Sequence, residues 1–288
     1  MYTYETLVNT DLQTLYQVFT KAFSDYQADL GLSMESFHSM MIRRGFDPEL
    51  SVGAFKEPGH ELVGFVLNGV RDWNGKLTAY DLGTGVIPTE RRRGITREIL
   101  GYVMDRFRQN NIEQYLLEVL QENKGAFELY KQQGFQITRS FSVFNLDKIA
   151  FSLNCPSGEI EYITDIKPEQ WQLYKAFWDF NPSWQNSIDS VRSVKDEFIF
   201  AQIWADNMIA GYGIVNRTTG DIPQIAVHKQ HRRKGIGINI IAGLMERTMA
   251  GRLRIINVDD DCTEMVSFLK RTGFELTVRQ YEMILPII

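Results

Sequence analysis

The sequence predicts an α/β protein built twice, as two domains that each carry a mixed, mainly antiparallel sheet flanked by helices. One observation is an internal repeat: VIPTERRRGITREILGYVMDRF from Val86 aligns without a gap on VHKQHRRKGIGINIIAGLMERT from Val227, 141 residues further on. A period of that length is too long for a solenoid and reads as duplicated domains. The other is the order of patterns in the first half, where three strand-like runs precede a strand-helix-strand crossover.

Taken in order, Asp11 can cap a helix running to about Ala22, and Ser33 one running to about Arg43. Alternating apolar runs around Ser51–Phe55, Leu62–Val70 and Leu77–Ile87 follow as strands. After Gly94 the period changes to 3.6, with Ile95, Ile99, Leu100, Val103, Met104 and Phe107 on one face. A strand at Tyr115–Leu120, a helix from Asn123 to Gln133 and closing strands around Ile137–Leu146 complete the half. In the second half Ile236, Ile240, Ile241, Leu244 and Met245 repeat the helical face, and Gly64-Phe65 has its echo in Gly211-Tyr212. The CPSG turn signal near 155 sets the division: a domain over 1–147, a linker over 148–158 and a domain over 159–288.

Composition bounds the function. The chain has 288 residues and a net charge of -5, so no general basic field invites nucleic acid or anionic membrane. Cys155 and Cys262 fit no zinc or redox spacing, and the four histidines make no metal pattern, with His228 and His231 reading as a surface pair. The start lacks a basic and an apolar leader region and no run is long enough to span a bilayer, so a cytoplasmic location is expected.

Each glycine turn, Arg91-Arg92-Arg93-Gly94-Ile95-Thr96 and Arg232-Arg233-Lys234-Gly235-Ile236-Gly237, joins a strand to a helix. The first N–H groups of a helix have no internal partner and, with its dipole, form a seat for a pyrophosphate. The same residues also suit an ordinary basic loop and helix cap. Neither turn is a dinucleotide fingerprint or a P-loop.

On these residues the chain resembles two Gcn5-related N-acetyltransferase (GNAT) domains in tandem. Val86, Pro88, Arg91 and Gly94 match the family's V-x-P and R-x-x-G-x-G/A pattern, with Thr96 in place of the small residue. Asn123, Ala126, Leu129, Tyr130, Gly134 and Phe135 match N-x-x-A-x-x-L-Y-x-x-x-G-F. The second half keeps Arg232, Gly235 and Gly237 but has Cys262 and Leu269 where the Asn and Tyr stand, which implies a degenerate or structural domain.

The resemblance implies acyl transfer from acetyl-CoA to a primary amine of a small molecule by the first domain. Its alternatives are a peptide or protein amine as acceptor, and a non-catalytic acyl-CoA sensor. Val86 and Ile87 would contact the cofactor's arm, Arg91, Arg92, Arg93, Gly94, Ile95 and Thr96 its diphosphate, and Asn123 the cofactor or the helix end. Tyr130, placed in the first turns of its helix, would be the general acid. Asp81 and Glu118 are the candidate bases, or else recognise a cationic substrate or make a structural contact. Strand alternation places Asp81 and Gly83 on one face. Tyr26, Asp29, Phe37 and His38 could shape an acceptor pocket.

Overall fold

The computed structural model describes residues 1–25, 32–150 and 159–287. The first half runs β1 (Tyr2–Thr6), α1 (Leu12–Ala22), α2 (Met34–Arg44), β2 (Val52–Lys56), β3 (Glu61–Trp73), β4 (Lys76–Val86), α3 (Ile95–Gln109), β5 (Gln114–Leu120), α4 (Lys124–Gln132) and β6 (Gln136–Asp147). The second runs β7 (Ile160–Ile163), α5 (Pro168–Lys175), α6 (Ile188–Ser193), β8 (Phe198–Ala205), β9 (Met208–Asn216), β10 (Gln224–Val227), α7 (Ile236–Arg247), β11 (Arg252–Asp259), α8 (Thr263–Arg271) and β12 (Glu275–Pro286).

These elements form two compact units, and neither is one stretch of chain. Unit 1 takes 1–119, 125–138 and 282–288, and unit 2 takes 120–124 and 139–281. The expected domains of 1–147 and 159–288 therefore trade ends: 139–147 goes with unit 2 and 282–288 with unit 1. In unit 1, Thr138 Oγ1 donates to Glu282 Oε1 at 2.8 Å and the Ile287 N–H to the Glu113 carbonyl at 2.9 Å. In unit 2, β6 lies antiparallel to β11 from Asp147 opposite Arg252 to Phe141 opposite Asp259. The expected linker lies, from 151 to 158, outside the described residues, as does Cys155.

In unit 1, β1, β2, β3 and β4 are successive antiparallel neighbours, and β5 is parallel to β4. The caps are those the sequence indicates: Asp11 accepts the Thr14 N–H at 2.9 Å and Ser33 the Ser36 N–H at 3.1 Å. One sheet face is covered by α1 and α2, whose Phe19 ring lies 5.1 Å from Phe37 and 5.7 Å from Phe65. The other is covered by α3, which buries Ile95, Ile99, Leu100, Val103 and Phe107 and leaves Met104 half-buried. Each such burial contributes about 1.5–3 kcal/mol.

In unit 2, β7, β8, β9 and β10 are antiparallel neighbours, and α7 buries Ile236, Ile240, Ile241, Leu244 and Met245. The repeated glycine before an aromatic has a packing cause. A Cβ on Gly64 would meet Ile95 Cγ2 at 3.2 Å, and one on Gly211 would meet Ile236 Cγ2 at 2.9 Å. In both units the missing side chain lets the start of the crossover helix approach the sheet. His231, read from sequence as a surface residue, is buried.

Candidate functional site

The parallel pairing of β4 with β5 runs from Thr78 opposite Gln114 to Tyr80 opposite Leu116. Both strands continue, to Val86 and Leu120, without further pairing to each other. Beyond that point the two strands make no backbone bonds to each other, and the Leu82 and Val86 carbonyls of β4 accept Arg44 Nη1 at 2.9 Å and Arg91 Nε at 3.1 Å. Asp81 is the first β4 residue past the parting.

A bulge fixes which way these side chains face. Opposite β3 the register changes from Leu67–Gly83 to Asn68–Asp81, so Leu82 is an extra residue in β4. The expectation that Asp81 and Gly83 share a face is corrected by this bulge. Gly83 faces α1, where a Cβ would meet the Phe19 ring at 3.2 Å. Asp81 instead shares its face with Thr84, whose Oγ1 donates to Asp81 Oδ2 at 2.7 Å.

The Tyr130 hydroxyl also donates to Asp81 Oδ2, at 3.2 Å. Asp81 Oδ1 is buried and has no hydrogen bond among the described residues. Burial pushes the Asp81 carboxyl up to about 6, against the lowering effect of Thr84, Tyr130, the Gly83 N–H and the Arg44 charge. A buried carboxylate oxygen with nothing to accept from is suited to receive a proton or a donor from a ligand. Tyr130 stands in the last turn of α4, not the first, because the helix spans Lys124–Gln132. Its ring meets Phe135 edge-on at 5.5 Å. Behind the pair, Tyr115 donates to Asn68 Oδ1 at 2.7 Å and packs edge-on to Phe107 of α3.

Glu118 lies beyond the last β5 residue that pairs with β4 and is half-buried. Alternation puts it on the face opposite Tyr115, whereas Asp81 pairs with Asn68, the partner of Tyr115. The two candidate bases thus occupy opposite faces of the sheet. Asn123 immediately precedes α4, with its N–H donating to the Leu120 carbonyl at 3.0 Å.

At the end of β4, the Ile87 N–H donates to the Val63 carbonyl at 2.9 Å, while the Val86 carbonyl accepts Arg91 Nε at 3.1 Å. The rest of the Arg91 guanidinium is also engaged. Its Nη2 donates to the Ala22 carbonyl at 2.8 Å and to Asp25 Oδ1 at 2.8 Å, and this bond from the guanidinium holds the Asp25 carboxyl below the usual carboxylate range. Arg232 repeats the arrangement in unit 2, with Nε on the Val227 carbonyl at 3.1 Å, Nη2 on the Phe177 carbonyl at 3.0 Å and Asp179 at 3.0 Å. Sequence reasoning missed this brace; the repetition of the arginine in both turns was its only trace.

Arg92 and Arg93 are exposed as Arg91 is, and Arg93 Nε lies 3.6 Å from Glu90 Oε2. Gly94 adopts φ 77°, a conformation that favours glycine, and a Cβ there would meet nothing within 4 Å. The first bond of α3 joins the Glu98 N–H to the Gly94 carbonyl at 3.2 Å, so the N–H groups of Ile95, Thr96 and Arg97 precede the helical ladder. These donors, with Arg92 and Arg93, can hold a diphosphate. Of the acceptor-pocket residues, Tyr26 and Asp29 lie outside the described residues, Phe37 is fully buried in the core and His38 is exposed. Among the described residues no cluster of His, Cys, Asp and Glu could hold a metal, and no helix is long and apolar enough to cross a membrane.

Two family models match the chain. The acetyltransferase (GNAT) family matches residues 12–135, and an acetyltransferase (GNAT) domain matches residues 163–283. No curated protein matches it in sequence. A tandem GNAT protein from the clavulanic acid biosynthesis pathway is 16% identical with a TM-score of 0.73, over 100% of this chain and 99% of that one. A GCN5-related N-acetyltransferase from Sphaerobacter thermophilus is 16% identical with a TM-score of 0.71, over 99% and 96%. One from Anabaena variabilis is 12% identical with a TM-score of 0.63, over 100% and 73%. At these identities the likeness is one of fold.

Proposed function

The chain belongs to the GNAT acetyltransferase family, and from that premise we propose that unit 1 transfers the acetyl group of acetyl-CoA to the primary amine of a small molecule. The observation that carries this reading is the Asp81–Tyr130 pair at the point where β4 and β5 part. Acetyl-CoA would supply an activated acyl thioester, with its diphosphate on the N–H groups of 95–97 beside Arg92 and Arg93.

The chain's own residues then manage protons. With a protonation point of about 6, Asp81 is mostly ionised at neutral pH and accepts a proton from the amine at Oδ1. That proton weakens Oδ2 as an acceptor, which releases the Tyr130 hydrogen for the leaving sulfur. Base and acid are coupled because they share one hydrogen bond. Glu118, on the other face by alternation, would recognise the acceptor's charge rather than work with Tyr130.

Thiol release from acetyl-CoA across a panel of small amines and short peptides, corrected for thioester hydrolysis, tests the reading. Amine-dependent release by the native chain that Asp81→Asn abolishes is the expected result. No release above hydrolysis, with measurable acetyl-CoA binding, would make unit 1 a sensor; release with peptides alone would move the acceptor class.

A further inference from the structure

The last turn of α2 is seated on the sheet beside the bulge that aims Asp81. Gly45 ends the helix at φ 77°, with its N–H donating to the Ile42 carbonyl at 3.1 Å. A Cβ on Gly69 of β3 would overlap the Arg44 carbonyl, so the missing side chain lets the helix end touch the strand. Two residues further along β3, Arg71 Nη2 donates to the Arg43 carbonyl at 2.6 Å.

β3 has no β2 partner beyond Val66, and the chain leading from α2 into β2 takes that place. Phe46 bridges to Gly69, the Asp47 N–H donates to the Asn68 carbonyl at 2.8 Å, and the Asn68 N–H donates to Ser51 Oγ at 2.8 Å. Asn68 is fully buried and is the residue opposite Asp81. The β3 side of the bulge is therefore fixed by residues that follow α2.

Arg44, the last residue of α2, fixes the β4 side. Its half-buried side chain donates from Nη1 to the Leu82 carbonyl at 2.9 Å, and Leu82 is the extra residue of the bulge. The extra residue of a bulge stands outside the ladder, so its polar groups need other partners. Without the bulge, alternation would return Asp81 to the face of Gly83, toward Phe19 of α1 and away from Thr84 and Tyr130. The Arg44 charge also lowers the protonation point that burial raises in Asp81. The Thr84, Tyr130 and Tyr115 hydroxyls around the same carboxyl are uncharged at neutral pH.

We propose that Arg44 is a positioning residue for the acyl-transfer base: by holding the Leu82 carbonyl, its guanidinium fixes the bulge that turns the Asp81 carboxylate toward Thr84 and Tyr130. The inference rests on the reading of Asp81 as that base. It ties the base to α2, a helix that neither sequence motif reaches.

Arg44→Gln and Arg44→Lys, each made in the native chain and in Asp81→Asn, test this, with acetyl-CoA binding as the report that unit 1 folds. In the native chain Arg44→Gln should lower kcat/KM for the amine about tenfold and leave the KM for acetyl-CoA within about twofold. It should also move the rise of kcat/KM to higher pH, because a cation that lowers the protonation point of Asp81 is gone. Arg44→Lys keeps the charge on a shorter stem without the planar fork, so it should lose about threefold and keep the rise at its native pH. In Asp81→Asn each substitution should change kcat/KM by less than about twofold, since no base is left to position. Equal losses in the two backgrounds, no loss in the native chain, or an unmoved rise in Arg44→Gln overturns the inference. So does failure of both variants to bind acetyl-CoA, which would make Arg44 a folding residue of unit 1. An Asp81→Asn chain as fast as the native one would instead overturn the reading of Asp81 as the base.

Discussion

Tyr130 Oη lies 3.2 Å from Asp81 Oδ2, joining the last turn of α4 to the first residue of β4 beyond its pairing with β5. The pair places a phenol proton and a carboxylate of raised protonation point on one face of one opening. Four expectations come from that geometry and from the turn beside it.

Asp81→Asn should lower kcat/KM by about 10²–10⁴-fold, the usual contribution of a positioned base. In the native chain kcat/KM should rise with pH through about 6, because the ionised carboxylate is the working form. The variant should lack that rise. Initial rates from pH 5 to 8 check both.

The same group ties stability to pH. Its protonation point is raised from 3.8 in the unfolded chain to about 6 in the folded one, so the folded chain binds the proton more tightly. The stabilisation is complete below about 3.8 and is lost as pH rises through about 6. Denaturant unfolding of the native chain and Asp81→Asn across that window should show the native chain losing stability with pH relative to the variant.

Thr84 orients the base through its 2.7 Å bond to Oδ2, and that bond holds the carboxyl below where burial alone would put it. Thr84→Val should move the rise in kcat/KM to higher pH, while Thr84→Ser, which keeps the hydroxyl, should restore it. Overlapping pH profiles for Val and Ser would remove Thr84 from this role.

Arg91 braces the end of β4 to the end of α1. Arg91→Ala should cost roughly 1–2 kcal/mol of folding stability, the scale of charge-assisted hydrogen bonds with partly exposed groups. Arg232→Ala should do the same in unit 2. Denaturant midpoints check this; a loss of coenzyme A affinity with stability unchanged would instead make Arg91 a phosphate ligand.

Much of the fold was legible because its signals are local. The 3.6-residue spacing of Ile95, Ile99, Val103 and Phe107 named the buried face of α3, and Asp11 and Ser33 named two helix starts. Tyr130 and Gly94 were singled out through motif spacing. The rest depends on groups that only the folded chain brings together. The bulge at Leu82 leaves no mark in the alternation of β4, so Asp81 and Gly83 were read as sharing one face. The Arg91 brace needs Asp25, 66 residues away, and the exchange of chain ends needs β12 to find unit 1.

The central claim is that Asp81 and Tyr130 act as one unit, and a double-mutant cycle on kcat/KM measures it most directly. Asp81→Asn, Tyr130→Phe and the double variant are compared under rate-limiting chemistry. The double variant should fall no more than about threefold below the slower single variant, as for residues that work together. A double variant slowed by the product of the two single effects would show two independent groups and contradict the account.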